Sequence, residues 1–144
     1  MTAPLTYRAL YINEQRPITD FMQTVQLNYE LDEMLIRLAD IHQRDGSGFT
    51  ALYWAISHNN IYNVKLLLAY GATLDVSPAL NAAFCAIACD RIDMLAFFIN
   101  KGIDADIKSR GKTLLEFAQG LRRSEIVAYL KDINESNTIR SVMR

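Results

Sequence analysis

One stretch, from Asp45 to Asp75, constrains the fold of this chain because its pattern recurs along the sequence. It begins with a Gly-rich turn, and Thr50 then stands at a helix N-cap position before an apolar-periodic run. Two asparagines interrupt the run, a second apolar run follows, and Gly71 ends it at a position where a left-handed backbone costs glycine nothing. The stretch predicts a turn and two short helices. Helices this short are marginal alone in water, so the unit needs neighbours.

Copies of the pattern lie on both sides of the stretch. A shift of 31 residues places Leu95 under Val64 and Gly102 under Gly71. A shift of 63 places Val127 under Val64, and a backward shift of 33 places a leucine-rich segment under the second apolar run. A period near 33 residues with this content is typical of a repeat protein.

The matching positions of the central stretch are Asp45, Gly48, Thr50, Leu52, Ala55, Val64, Leu67, Leu68, Gly71 and Ala72. With these residues the stretch resembles the ankyrin repeat, although Ala51 and Tyr53 stand where that family has proline and histidine. The resemblance extends roughly from residue 17 to residue 133, judged by repeat spacing. It implies an all-α fold, an ankyrin-repeat solenoid of stacked antiparallel helix pairs.

The repeat spacing divides the chain into an N-terminal arm (1–16), an ankyrin-repeat domain (17–133) and a C-terminal tail (134–144). The units of the domain are about 17–44, 45–75, 76–106 and 107–133. The first unit is a degenerate cap, as the ends of a repeat stack require. Its second helix is predicted over Leu31 to Leu38, with Leu31, Met34, Leu35 and Leu38 on one buried stripe. In the second full unit, we expect the projecting finger of the family to be truncated.

Composition indicates an ordinary globular chain, with 51% hydrophobic and 22% charged residues and a formal net charge of -1. The charge is uneven, because residues 101–144 hold nine Lys/Arg and six Asp/Glu. The two cysteines lie four apart in one predicted helix, which favours a reducing compartment over a disulfide. We find no signal peptide and no membrane-spanning run, and we expect a cytoplasmic protein, or one delivered to a host cell if it is a bacterial effector.

Residues for catalysis or metal binding are sparse. The histidines, His42 and His58, fall in a linking turn and at a helix end, without a Ser/His/Asp arrangement around them. Cys85 and Cys89 share a helix face, but no second Cys or His pair has zinc-site spacing. The Gly-Lys-Thr triplet of the last unit lacks the glycine that a P-loop needs five positions earlier. We therefore expect no enzyme activity, no cofactor and no metal.

The resemblance instead implies a protein-binding surface on the concave face, made of the turn tips and the first helices. The candidate partner-binding residues are Gly46, Ser47, Phe49, Ser57, His58, Leu80, Cys89, Lys108, Arg110 and Lys112. Phe49 is either an exposed interface anchor or packed on Tyr53 or on the next turn, and Trp54 is expected to be buried.

Three function classes follow from these patterns. The first is non-catalytic binding of another protein by a free monomer, which would mask or inhibit the partner, or act as an effector-type adaptor. The alternative is binding of a nucleic acid or a phosphate-bearing ligand by the basic last repeat, which the overall charge makes less favourable. The third is a structural oligomer that stacks through an exposed end.

Overall fold

The computed structural model describes residues 19–78 and 80–143, so the predicted arm at 1–16 lies outside the described part. Eight helices and two short β-hairpins make up this part. The helices are α1 (Phe21–Gln26), α2 (Glu33–Leu38), α3 (Ala51–Ser57), α4 (Ile61–Ala69), α5 (Ala82–Ala88), α6 (Ile92–Asn100), α7 (Leu114–Gly120) and α8 (Ser124–Met143). The strands are β1 (Asp75–Ser77), β2 (Leu80–Asn81), β3 (Lys108–Ser109) and β4 (Lys112–Thr113).

The helices form pairs, in which α3 packs on α4, α5 on α6 and α7 on α8. The first helices also pack on one another in chain order, α1 on α3, α3 on α5, and α5 on α7. Helix α5 therefore has neighbours on several sides, and all six residues from Ala82 to Ile87 are buried. Four of its seven residues are alanines, whose small side chains allow the neighbouring helices to approach closely. The observed fold is an α-rich repeat arrangement.

Each loop within a helix pair turns through one residue with a positive φ angle. These residues are Asn28 (62°), Asn59 (57°), Asp90 (57°) and Arg122 (58°). Asn and Asp tolerate this left-handed conformation better than other non-glycine residues because their short side chains bond locally. The recurrence of one backbone conformation every 31 or 32 residues is the structural counterpart of the sequence period.

Two antiparallel hairpins modify the all-α expectation. In the last unit, Arg110 and Gly111 have φ angles of 51° and 76° between the paired strands β3 and β4. Two consecutive positive φ angles are the signature of a type I′ two-residue turn, which matches the twist of a hairpin. The second unit carries the hairpin β1–β2, with an irregular register after Asp75, where we expected a truncated finger. The structure is therefore α-rich rather than all-α.

The first helix pair differs from its predicted pattern. Helix α2 begins only after Asp32, whose side chain caps it by accepting a hydrogen bond from the backbone of the first turn. Leu31 is buried ahead of the helix, and Ile36 is the buried residue within it. Met34 and Leu38 are 64% and 80% exposed, so the predicted buried stripe is wrong. Helical spacing counted from Leu31 fails because Leu31 is not helical.

The two predicted threonine caps differ in whether the side chain makes a capping hydrogen bond. Thr113 and Glu116 form the expected capping box at the start of α7, with hydrogen bonds of 3.1 and 3.2 Å. Thr50 occupies the N-cap of α3, but its side chain makes no capping hydrogen bond, and its buried hydroxyl oxygen has no partner among the described residues. Helix α8 runs through the predicted tail boundary at residue 133 as far as Met143.

Candidate protein-binding surface

The second hairpin and the core next to it enclose a groove on the first-helix side. We call it the hairpin groove and define it by Leu80, Phe84, Lys108, Arg110, Lys112 and Phe117. It comprises adjoining hollows of about 360 and 450 Å³, which share Leu80, Phe84, Ser109 and Arg110. The groove exists because β2 leads directly into α5, while the turn of β3–β4 projects beside it.

The floor of the hairpin groove is aromatic, and its rim carries three basic residues and one acidic residue, Asp75. Phe84 is buried, and its ring lies edge-on to that of Phe117, with centroids 5.3 Å apart. Lys108, Arg110 and Lys112 are exposed, and none of them forms a salt bridge within the described ranges. Four of the predicted residues, Leu80 and the three cations, thus come together here. The arrangement suits an apolar group that carries negative charge.

Phe49 belongs to a cluster of aromatic side chains at the first turn. Its ring stacks on Tyr53 with centroids 3.8 Å apart and lies edge-on to Trp54 at 6.3 Å. Trp54 also stacks on the ring of His58 at 6.2 Å. Phe49 packs on Tyr53, as in the packing alternative, and it remains partly exposed, so its role in binding stays a prediction. Trp54 is likewise partly buried, not fully buried as expected.

Asp45 organises the first turn. Its carboxylate accepts hydrogen bonds from the Ser47 and Phe49 backbone at 2.9 and 3.1 Å, from Trp54 Nε1 at 2.7 Å and from Gln26 Nε2 at 3.3 Å. Burial raises the pKa of Asp45, but these hydrogen bonds together outweigh it and hold the pKa below its usual value.

The predicted residues Gly46 and Ser47 lie exposed at the tip of this turn. The turn holds them in place, because the Ser47 amide bonds to Asp45. Their backbone is therefore presented in a fixed geometry, and their role in binding stays a prediction.

One hydrogen bond recurs between successive units. A polar side chain in each loop reaches the carbonyl of the last residue of the preceding first helix. The pairs are His58 Nε2 with Gln26 O at 2.8 Å, Arg91 Nη2 with Ser57 O at 2.9 Å, and Arg123 Nη2 with Ala88 O at 2.7 Å. These interrepeat hydrogen bonds satisfy carbonyls that a helix leaves open at its end. The sequence did not predict these hydrogen bonds, although the accepting residues lie 31 apart.

The interrepeat hydrogen bonds bear on two predicted site residues. His58 is partly buried and held by Gln26, which gives it a structural contact in addition to any contact with a partner. The Ser57 carbonyl accepts a hydrogen bond from Arg91, and the Ser57 side chain helps to lower the pKa of the Cys89 thiol. Ser57 and Cys89 therefore lie together on the first-helix side.

Across 19–78 and 80–143, no group of three or more His, Cys, Asp or Glu side chains is placed to hold a metal ion. Both cysteines are free thiols, Cys85 buried and Cys89 partly buried. No helix within these ranges is long and apolar enough to cross a membrane.

Comparison with known proteins identifies the repeat. The family model for the ankyrin repeat matches residues 47–77. The chain is 33% identical over 102 residues to the ankyrin repeat domain-containing protein SAT10 of Stachybotrys chartarum. That match covers 69% of this chain and only 5% of the relative, so the chain spans a small part of the relative's length.

Ankyrin repeats generally mediate protein–protein interactions and are typically non-catalytic. The family match falls on the unit from which the period was read, and the relative carries the same kind of repeat. Taken with the recurring helix pairs and loops, these matches show that the chain belongs to the ankyrin-repeat proteins.

Proposed function

We propose that this chain is a non-catalytic module whose helix pairs form a solenoid and whose first-helix side binds another protein. The succession of contacts from α1 to α3, α5 and α7 supports the solenoid, because it places equivalent helices side by side. The two hairpins and the turn at Asp45 project from the same ends of the first helices, where partner contacts are expected.

The hairpin groove is the observation that carries this proposal. Three exposed cations surround an apolar floor of Leu80 and two phenylalanines, so we propose a partner segment that combines an apolar side chain with carboxylates. The cations would steer an acidic partner during encounter, and the apolar floor would supply most of the affinity. Because Phe84 is fixed in the core, little ordering cost remains to oppose binding.

We further propose how the module acts. The chain would bind as a free monomer and cover an acidic surface of its partner. It would then mask the partner, as an inhibitor does, or act as an adaptor. Two free thiols fit work in the reducing cytoplasm, of the source cell or of a host cell. These finer assignments would follow from the identity of the captured protein.

Site-specific photo-crosslinking tests the surface. A photo-reactive phenylalanine analogue replaces Lys112 on the rim of the hairpin groove, and Glu125, exposed on α8, serves as the control position. We expect a discrete crosslinked protein from the Lys112 variant in lysate of the source cell. Adding Lys108→Glu and Arg110→Glu should abolish this crosslink without changing the circular dichroism spectrum. Equal crosslinking from both positions would contradict the proposed surface.

A nucleic acid is the second candidate ligand, because the same three cations could contact phosphates. A labelled single-stranded oligonucleotide, titrated at rising salt, distinguishes it from a protein partner. For a protein partner we expect no saturable binding of the oligonucleotide near physiological salt. Tight binding with a steep salt dependence that Lys108→Glu and Arg110→Glu remove would favour the nucleic acid.

A further inference from the structure

A second groove lies between the second helices of the two central units, apart from the hairpin groove. Its volume is about 650 Å³, and α4 and α6 form its walls. The apolar lining includes Leu68, Leu74, Phe97, Phe98 and Ile103. We call it the second-helix groove. A volume of this size with a mostly apolar lining falls in the range of small-molecule sites.

The charged groups of this groove converge on one ring. Lys65 Nζ lies 5.9 Å and Lys101 Nζ 5.7 Å from the centroid of Phe97. Both lysines are exposed and line the groove, and neither forms a salt bridge in the part of the chain that the structure describes. The negative face of the ring attracts each ammonium group, but the two ammonium groups repel each other. An anion bound beside the ring would neutralise both.

We propose that the second-helix groove binds an amphipathic small-molecule carboxylate, with its apolar tail on Phe97 and Ile103 and its head group between Lys65 and Lys101. The charge pattern selects this class: the groove supplies apolar surface and two cations, and no acidic residue lines it. An uncharged lipid would leave the lysines unneutralised. A site on this side is independent of the protein-binding surface proposed above.

Isothermal titration calorimetry with dodecanoate, below its aggregation concentration, tests the site, and 1-dodecanol is the neutral analogue. We expect saturable binding of dodecanoate to the wild-type chain and binding at least about tenfold weaker for dodecanol, as the loss of charged hydrogen bonds implies. Lys65→Glu with Lys101→Glu should weaken dodecanoate binding by at least about tenfold. Arg122→Glu with Lys131→Glu makes the same change of net charge at exposed positions outside both grooves and should leave dodecanoate binding unaltered.

A steric variant tests the groove without changing its charge. Ala69 lies exposed on the groove wall, so Ala69→Trp should fill the space while the helix remains folded, and dodecanoate binding should disappear. If the glutamate pair unfolds the chain, Lys65→Gln with Lys101→Gln replaces it, with the same loss expected. The proposal fails if dodecanoate does not bind, if dodecanol binds equally well, or if the two double charge reversals have equal effects.

Discussion

The indole Nε1 of Trp54 donates a hydrogen bond of 2.7 Å to Asp45 Oδ2, and this contact joins the first turn to the helix that follows it. Because the same carboxylate also accepts two backbone hydrogen bonds within the turn, one side chain fixes both the turn and its attachment. We expect Asp45→Ala to lower the free energy of unfolding by about 1–3 kcal/mol, since it leaves these donors without their acceptor. Urea denaturation followed by Trp54 fluorescence measures the loss.

The same carboxylate gives the stability a defined pH dependence. The folded state lowers the pKa of Asp45, so its contribution to the unfolding free energy is present above the unfolded pKa of about 3.9 and is lost as the pH falls through the folded value. Asp45→Ala should therefore flatten the acid side of the stability profile. Asp75→Ala is the control, because Asp75 is exposed and accepts no hydrogen bond from a described side chain. An equal effect of both variants would contradict the role of Asp45.

Phe49 contributes to stability through its contact with Tyr53. We expect Phe49→Ala to cost about 0.5–1.5 kcal/mol for the lost aromatic pair, in addition to the apolar area it exposes. Arg110→Ala, at the exposed tip of the hairpin β3–β4, should change the unfolding free energy by less than about 0.5 kcal/mol. Thermal denaturation compares the two. If Phe49→Ala leaves the transition unchanged, the stacked geometry does not persist in solution.

The interrepeat hydrogen bonds predict unequal effects for two neighbouring arginines. Arg123 bonds to the carbonyls of Ile87 and Ala88 at 3.2 and 2.7 Å, whereas Arg122 is exposed. We expect Arg123→Ala to lower the unfolding free energy by about 1–3 kcal/mol and Arg122→Ala to be nearly neutral. Chemical denaturation at matched salt measures both. Similar values would show that the carbonyls are equally well satisfied by water.

Arg122 offers a stabilising substitution. It occupies the left-handed loop position that Asn28 and Asn59 hold in earlier units. Arg122→Asn should raise the unfolding free energy by about 0.5–1 kcal/mol, because asparagine adopts this conformation at a lower cost. A rise in the denaturation midpoint without a change in slope is the expected result. A fall would indicate that the arginine side chain makes a favourable contact.

Cys89 should be the reactive thiol of this chain. Its hydrogen bond with Cys85 is the main cause that lowers the pKa of Cys89 to about 6, and burial opposes it. The Ser57 side chain and the charges of Arg91 and Arg123 lower it further. In turn, the hydrogen bond to Cys89 and burial raise the pKa of Cys85. We therefore expect Cys89 to be the more acidic thiol of the pair and the better nucleophile.

Iodoacetamide modification followed by mass spectrometry checks this assignment. The alkylation rate of Cys89 should rise with pH through a midpoint near 6 and level off above it, while Cys85 stays unmodified. Because the folded pKa of Cys89 lies below that of a free thiol, its ionisation stabilises the fold at high pH, and this contribution is lost as the pH falls towards 6. Cys89→Ser is the control. A midpoint near 8.5 would mean an ordinary thiol.

Much of the fold is predictable from local sequence patterns, because the residues that interact at a helix end are close in sequence. Gly71 and Gly102 end their helices with φ angles of 95° and 106°, as expected for glycine past a helix end. The capping box at Thr113 spans three residues, so its partner can be read directly from the sequence. The predicted burial of Met34 and Leu38 is wrong, because the helix begins only after Asp32 and therefore buries a different face.

The candidate surface was predictable only in part. The resemblance placed Leu80 and the three cations on one side of the molecule, and the structure brings them into one groove. It did not reveal that Phe84 and Phe117 form the floor, because their contact depends on how α5 and α7 pack. The resemblance also did not predict the hydrogen bond between His58 and the Gln26 carbonyl, because these residues are 32 apart in sequence.

In all of the interrepeat hydrogen bonds, a side chain of a later unit bonds to a carbonyl of the unit before it. The first helices α1, α3 and α5 each receive a hydrogen bond at their last residue from a loop 32, 34 or 35 residues downstream. On the ribosome, a unit that has just emerged still lacks this donor, and only the next unit to be translated supplies it. The interrepeat hydrogen bonds of each unit in a nascent chain therefore form only after the next unit has been translated. A product that ends before Arg123 would leave the carboxyl end of α5 open to water.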